Sequence, residues 1–294
     1  MADFMQQVVA GLASGSIYAA LALALVLIHR ATGVINFAQG EMATFSTYIA
    51  WTLTTNHGWA YWPAFAVTLG VSFLGGAAIH QTIIRPNEKG SLLRVVIVTI
   101  GLLIMINGLV TWIWGGEVRA VQSPFPAGTT EIAGVAITTA DIGTIAVVVG
   151  TVAALWALFQ YTKLGLAMRA AAVNPAEARL VGVRVTWMLS FGWGLAAALG
   201  AVAGMLAAPS VFLDPNLMAA ILIYAFAAAV LGGIDSPIGA VVGGLILGVG
   251  LNLIGTYIDF IGSDLRLPAA LLVILIVLLV RPAGLFGKPE VKKV

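Results

Sequence analysis

The chain is predicted to be an all-α, polytopic membrane protein of about nine transmembrane helices, and three observations predict it. Hydrophobic residues fill 61% of its 294 positions and charged residues only 9%, against about 25% charged in an ordinary soluble domain. Mean hydropathy is +1.04. The apolar residues gather into runs of about 20, the length a helix needs to cross the hydrocarbon. A soluble fold of this composition would leave large apolar areas facing water. No stretch is long and polar enough to form a separate soluble domain, so the chain reads as one membrane domain over residues 1–294. The short alternating segments of an outer-membrane barrel do not occur.

In chain order the runs are Val8–Ile28, Val34–Leu53, Trp62–Ile83, Val95–Trp114, Ile142–Tyr161, Trp187–Pro209, Leu217–Gly232, Ile238–Ile258 and Leu267–Val280. No Lys or Arg precedes Arg30, so the first run lacks the basic flank of a signal peptide and is expected to stay as a span. The second run is broken by polar residues: Asn36, Gln39 and Glu41, with Gly40 between the last two. Polar groups at membrane depth are costly and face the protein interior or a wet cavity. These three are therefore candidates for lining a polar path, and local capping of a broken helix is the competing reading. A break at Gly40 would place the Glu41 carboxylate at a new helix N-terminus, where negative charge is favoured. Asn107 and Asn252 are lone, and interhelical hydrogen bonding is expected of them.

Orientation follows from Lys and Arg in the connecting segments. Arg30 occupies one turn; Arg85, Lys89 and Arg94 share the next alternate loop; Lys163, Arg169, Arg179 and Arg184 share the one after; Arg281, Lys288, Lys292 and Lys293 form the tail. With nine spans all of these fall on one side, leaving Arg119 and Arg266 opposite, so the N-terminus is expected outside and the C-terminus in the cytoplasm. The other side carries acidic residues instead: Glu117, Glu131, Asp141, Asp214, Asp259 and Asp264. Trp51, Trp59, Trp62, Trp112 and Trp114 lie near span ends, as aromatic belts do. The tail around Gly287, Lys288, Pro289 and Glu290 reads as a short solvated end.

The longest basic-side loop runs over 162–185. Asn174, Pro175 and Glu177 read as a helix start: Asn caps, proline suits the first position, and Glu three residues on completes a capping-box-like pair. Gly182 is placed to end the helix. A helix of about two turns is unstable alone, so this loop is expected to be a docking surface rather than a tether. Small-residue pairs at four-residue spacing (Gly11 with Gly15, Gly200 with Gly204, Gly239 with Gly243, Gly244 with Gly248) let helices approach closely in lipid, here mainly within the chain.

Much chemistry is excluded. There is no cysteine, hence no disulfide, thiol nucleophile or thiolate metal site. The three histidines, His29, His57 and His80, are isolated, without metal-ligand spacing. No catalytic residues, metal ligands or cofactor site are expected. No phosphate-binding loop occurs, so any ATP hydrolysis belongs to other subunits. Clustered basic residues on a polar face, the mark of a nucleic-acid binder, are missing.

Several stretches taken together carry a resemblance. They are Gly15-Ser16-Ile17-Tyr18-Ala19; Gly33-Val34-Ile35-Asn36-Phe37-Ala38-Gln39-Gly40-Glu41; Gly165-Leu166-Ala167-Met168-Arg169-Ala170 with Asn174 and Gly182; Ala225 to Ile234, with Gly239-Ala240 and Gly243-Gly244; and Arg281-Pro282-Ala283-Gly284-Leu285-Phe286-Gly287. In order and spacing they resemble the permease subunits of branched-chain amino-acid ABC importers, a family that includes urea and amide permeases. The resemblance implies an inner-membrane permease paired with a second, related permease, two cytoplasmic ATPase subunits and an external solute-binding protein. It further implies that the 162–185 loop couples to an ATPase through Gly165, Arg169, Ala170, Asn174, Glu177 and Gly182. Where the family often has Gly or Ser after Gly-Gly-Ile, this chain has Asp235, which is expected to cap the helix of Pro237. An ion-coupled secondary carrier or channel is the rival reading, with Glu41 as its strongest coupling residue. The solute is left open among branched-chain amino acids, urea, amides and aromatic acids.

Overall fold

The computed structural model describes residues 2–88, 90–132, 134–258 and 265–287. Lys89, Asp259, Asp264, Lys288, Pro289, Glu290, Lys292 and Lys293, which entered the charge and tail readings, lie outside the described residues.

The apolar runs form helices: α1 (Ala2–Thr32), α2 (Gln39–Trp51), α3 (Tyr61–Ile79), α4 (Leu92–Trp114), α5 (Thr139–Tyr161), α8 (Val185–Val211), α9 (Ala219–Gly232), α10 (Pro237–Tyr257) and α11 (Arg266–Val280). Between α5 and α8 stand two shorter helices, α6 (Lys163–Val173) and α7 (Pro175–Leu180). Among the described residues six helices are long and apolar enough to cross a membrane. Two predicted runs are shorter than expected. The second begins at Gln39 rather than Val34, and α2 has 13 residues, continued by a π-helical turn at Thr52–Asn56. The seventh, α9, begins at Ala219 rather than Leu217 and has 14 residues, while α11, with 15, matches its short predicted run. Ahead of α9 the chain turns irregularly, with Asp214 Oδ1 accepting from the Asn216 N–H at 2.6 Å.

Among the described residues the structure also has β structure, which the all-α reading did not foresee. Thr129–Ile132 and Val135–Thr138 pair as a two-stranded antiparallel hairpin, β1 and β2, immediately before α5. At the start of α10, Ser236 rather than Asp235 is the cap: its hydroxyl accepts from the Gly239 N–H at 3.0 Å, and Pro237 takes the first helical position.

The chain divides into two compact units. The first comprises Met1–Val26, Gln122–Val148 and Ala219–Val294. In it α1 runs antiparallel to α10, with Gly11 and Gly15 set against Gly244, Gly248 and Val249. The backbones meet so closely there because glycines on both helices leave out the Cβ atoms that would hold them apart. Asn252 donates to the carbonyl of Gln7 at 2.7 Å and to its Oε1 at 2.8 Å, which makes it an interhelical bridge as expected. Helix α9 packs antiparallel on α10 through Gly232 and Ala228 against Gly239 and Gly243.

The second unit comprises Leu27–Val121 and Val149–Met218. Helix α8 is its centre, buried along most of its length. Helix α3 crosses it antiparallel, with Gly76 against Trp193 and Ala197 and Phe73 against Gly194. Helix α2 runs parallel to it, with Gly200 and Gly204 against Gln39, Ala43 and Thr47. Helix α4 runs parallel to α2, Trp114 stacking on Tyr48 and donating from Nε1 to Thr52 Oγ1 at 2.8 Å. Arg119 is held by a two-way backbone bridge to Leu213, by the Trp114 carbonyl, and by the Trp51 ring beneath its guanidinium.

Candidate functional site

The polar break ahead of α2 is assembled from local rules. Gly33 takes the left-handed backbone (φ +71°) after α1, and the Asn36 carbonyl oxygen of the side chain accepts from the Ala38 N–H at 3.1 Å. This turn precedes Gln39, so the break lies before Gln39 and not at Gly40. Glu41 still falls in the first turn of α2, where its charge meets the positive end of the helix.

Tertiary contacts set the depth. Asn36 Nδ2 donates to Gln39 Oε1 at 3.3 Å, and Gln39 Nε2 donates to the Ala196 carbonyl of α8 at 2.8 Å. Ala196 lies roughly 16 Å along α8 from its start, at 1.5 Å per residue. Helix α2 therefore begins midway along α8 instead of level with its end. Asn36 and Gln39 are fully buried and act as brackets between α2 and α8.

Glu41 is placed differently. It is 7% exposed, on the face of α2 turned to α4, and its Oε2 accepts from Asn107 Nδ2 at 3.3 Å. The same amide reaches the Pro215 carbonyl at 3.1 Å and Asn216 Oδ1 at 3.3 Å. Asn107 thus ties the carboxylate to α4 and to the irregular segment before α9. One and two turns further along that face of α2, the hydroxyls of Thr44 and Tyr48 are buried without a hydrogen-bond partner. Replacing Asn107 by Leu should remove a hydrogen bond to a charged group and strip a buried carboxylate of its donor, costing about 1–3 kcal/mol. Thermal unfolding of the purified protein is the measurement, and Glu41→Gln in the Asn107→Leu background should recover part of the loss.

The second site is the 162–185 segment. Thr162 caps α6, its hydroxyl accepting from the Gly165 N–H at 3.0 Å. Gly165 sits in the corner where α5 meets α6: a Cβ there would lie 2.3 Å from the Leu158 carbonyl oxygen and 2.5 Å from Phe159 Cα. Asn174 Oδ1 accepts from the N–H groups of Ala176 and Glu177 at 3.1 and 3.2 Å, with Pro175 first in α7. The expected capping box is corrected, because the Asn174 N–H donates to the Ala170 carbonyl at 3.1 Å. Helix α6 runs straight into α7 and supplies that acceptor, which leaves Glu177 exposed.

Gly182 closes α7 with φ +85°. Its N–H donates to Arg179 and that of Val183 to Ala178, the two bonds of a Schellman turn. Ala171, Ala178 and Val185 form a small buried cluster, with Ala170 and Val183 against it, so α6 and α7 are folded onto the base of α8. Of the six residues singled out, Gly165, Ala170, Asn174 and Gly182 shape this segment, whereas Arg169 and Glu177 are on its surface. Val173, Leu180 and Val181, which the sequence reading passed over, are 81%, 86% and 79% exposed.

His80 is not isolated. Fully buried, it bonds Ser190 Oγ through Nδ1 at 2.7 Å and Glu88 Oε1 through Nε2 at 2.8 Å. The trio has the composition of a catalytic triad. Ser190, however, is buried within α8 and also donates to the Thr186 carbonyl at 3.0 Å, so the arrangement pins α3 to α8. Among the described residues no group of His, Asp and Glu is placed to hold a metal ion.

Comparison with known proteins decides the family. The family described as the branched-chain amino acid transport system permease component matches residues 7–281. The chain belongs to this permease family. It is 33% identical to the high-affinity branched-chain amino acid transport system permease protein BraD of Pseudomonas aeruginosa, covering 99% of this chain and 98% of BraD. It is 31% identical to LivH of Escherichia coli K12 over the same shares. A probable branched-chain amino acid transport permease LivH of Methanocaldococcus jannaschii is 29% identical over 91% of this permease and 87% of the relative. A solved structure, PsaBC from Streptococcus pneumoniae in complex with Fab, superposes with a TM-score of 0.52 at 16% identity, covering 93% of this chain and 91% of that one, which shows the fold. The permease is accordingly a multi-pass protein of the plasma membrane.

Proposed function

We propose that this permease is the transmembrane subunit of an ATP-driven importer for branched-chain amino acids, the solute class named in BraD and LivH. In this reading it pairs with a second, related permease as a heterodimer. Two cytoplasmic ATPase subunits drive it, and an external binding protein delivers the solute. It forms one membrane domain of about nine spans, with α2, α9 and α11 as the short ones, the N-terminus outside and the C-terminus cytoplasmic. Helix directions within each unit agree with that parity, and the basic residues gather on the cytoplasmic side.

The observation that carries the reading is the 162–185 segment: two capped helices between long apolar ones, displaying Val173, Leu180 and Val181 to solvent. Exposed apolar side chains grouped on a rigid support mark an interaction surface. Such a segment suits docking into a groove of the ATPase. Gly165, Ala170, Asn174 and Gly182 keep the lever stiff, and Arg169 and Glu177 meet the partner. Closing of the ATPase dimer on ATP then biases the permease pair between outward and inward states, a shift that needs several kcal/mol of differential binding. Asn36 and Gln39 hold the half-length α2, and Glu41 presents its carboxylate toward the path.

The test is reconstitution with the partner subunits and binding protein, followed by uptake of leucine, isoleucine, valine, urea and aromatic acids. ATP-dependent uptake of the three aliphatic amino acids above the rest is expected. Uptake by the permease alone in an ion gradient would overturn the reading in favour of a secondary carrier.

A further inference from the structure

Where α3 ends and α8 begins, the second unit has a groove of about 450 Å³. Its lining includes Arg85 from beyond α3 and Arg179 and Arg184 from the return into α8, with Gln81, Val183 and Trp187. No acidic side chain lines it among the described residues. None of the three guanidinium groups is paired with a carboxylate among those residues. The Gln81 side-chain carbonyl accepts from Arg85 Nη1 at 3.1 Å, which turns one guanidinium without neutralising it. Three like charges around one cavity repel each other, and an anion that bridges them removes the repulsion.

The position of the groove says which anion. It lies where two apolar helices reach their ends, which on the proposed topology is the cytoplasmic level where hydrocarbon gives way to lipid headgroups. Trp187 is 63% exposed beside it, in the place an interfacial indole takes. Guanidinium forks match phosphate oxygens in pairs, and basic pockets between helices on the cytoplasmic side suit phospholipid headgroups.

We propose that Arg85, Arg179 and Arg184 bind the phosphodiester headgroup of an anionic phospholipid, with Trp187 against its acyl chains. The bound lipid braces the base of the 162–185 segment where it returns to the membrane. The surface residues Arg169 and Glu177 do not line this groove, so the lipid and a docked protein occupy different parts of the segment.

The experiment uses the assembled transporter, purified from membranes containing phosphatidylglycerol and exchanged into phosphatidylcholine, with the retained anionic lipid counted by mass spectrometry. Wild type should keep phosphatidylglycerol. Arg85→Gln, Arg179→Gln and Arg184→Gln should each weaken retention about fivefold, and the triple variant on the order of a hundredfold. These side chains are exposed, and the single variants carry the test should the triple variant fold poorly. Excess inorganic phosphate should leave the lipid bound. Retention unchanged in every variant overturns the proposal. So does release by inorganic phosphate alone, which would make this a soluble-anion site. Loss of the ATPase subunits from the variants with lipid retention intact also overturns it, because the groove would then be a protein contact.

Discussion

Gly248→Leu is expected to prevent α1 from seating on α10 and to leave little folded permease in the membrane. A Cβ at residue 248 would lie 2.2 Å from Gly15 Cα and 2.6 Å from the Gly11 carbonyl oxygen. Both neighbours are backbone, so no side chain can swing aside. The contact is reciprocal: a Cβ at Gly15 would meet the Gly244 carbonyl oxygen at 2.8 Å, and one at Gly244 would meet Ala19 Cα at 2.5 Å. Relief requires the two helices to separate, which also breaks the Asn252 bridge to Gln7. Overpacking costs about 1–3 kcal/mol where a core can adjust; here, with backbone on both sides, about 3 kcal/mol or more is expected. Gly250→Leu is the control. It lies on the same helix, has open space around the added Cβ, and replaces a poor helix former. Heating the detergent-purified protein and following the monodisperse fraction should show early loss for the first variant and none for the second. Equal stability of both would overturn this account of the crossing.

The parts of the fold that were legible in the sequence are those governed by local rules or by composition. Apolar runs of membrane length gave the long helices. Gly11, Gly15, Gly244 and Gly248 marked a helix crossing because small residues are what close approach in lipid requires. Helix α7 was readable end to end, since Asn174, Pro175 and Gly182 each act on backbone groups within a few residues. Features that depend on partners far along the chain were not readable. The start of α2 is set by Gln39 reaching Ala196, and the surroundings of Glu41 by Asn107 and the segment at Pro215 and Asn216. His80 looked isolated because Ser190 lies far away in sequence. Helix α6 escaped because its cap, Thr162, follows α5 directly and the Gly165 corner reads as loop. The missing half of the capping box has the same origin: α6 already provides the acceptor for the Asn174 N–H. The hairpin at 129–138 has four residues per strand, too few for alternation to stand out.

Uptake should be the property lost when the turn after α7 is altered, with insertion into the membrane preserved. Gly182 holds φ +85°, a conformation that costs an ordinary L-residue roughly 1 kcal/mol or more, and a bulky branched or aromatic side chain finds it harder still. A Cβ at this position would have nothing within 4 Å. The effect of Gly182→Trp therefore comes from the backbone: the turn must open, releasing the N–H of Gly182 from Arg179 and that of Val183 from Ala178. Those bonds aim the chain from α7 into α8, and Val183 leaves the cluster of Ala171, Ala178 and Val185 with them. Glu177→Lys tests the surface instead of the shape. It reverses an exposed charge near the start of α7, where a negative one is favoured by a few tenths of a kcal/mol, so the fold should survive. Both variants should insert, Glu177→Lys melting near wild type and Gly182→Trp somewhat lower, yet both should lose ATP-dependent uptake by about tenfold or more, equivalent to about 1.4 kcal/mol of lost coupling. Measuring ATP hydrolysis alongside uptake separates the causes. Hydrolysis that persists without transport is the signature of a lever that no longer transmits. Normal uptake by both variants would remove the 162–185 segment from the coupling mechanism.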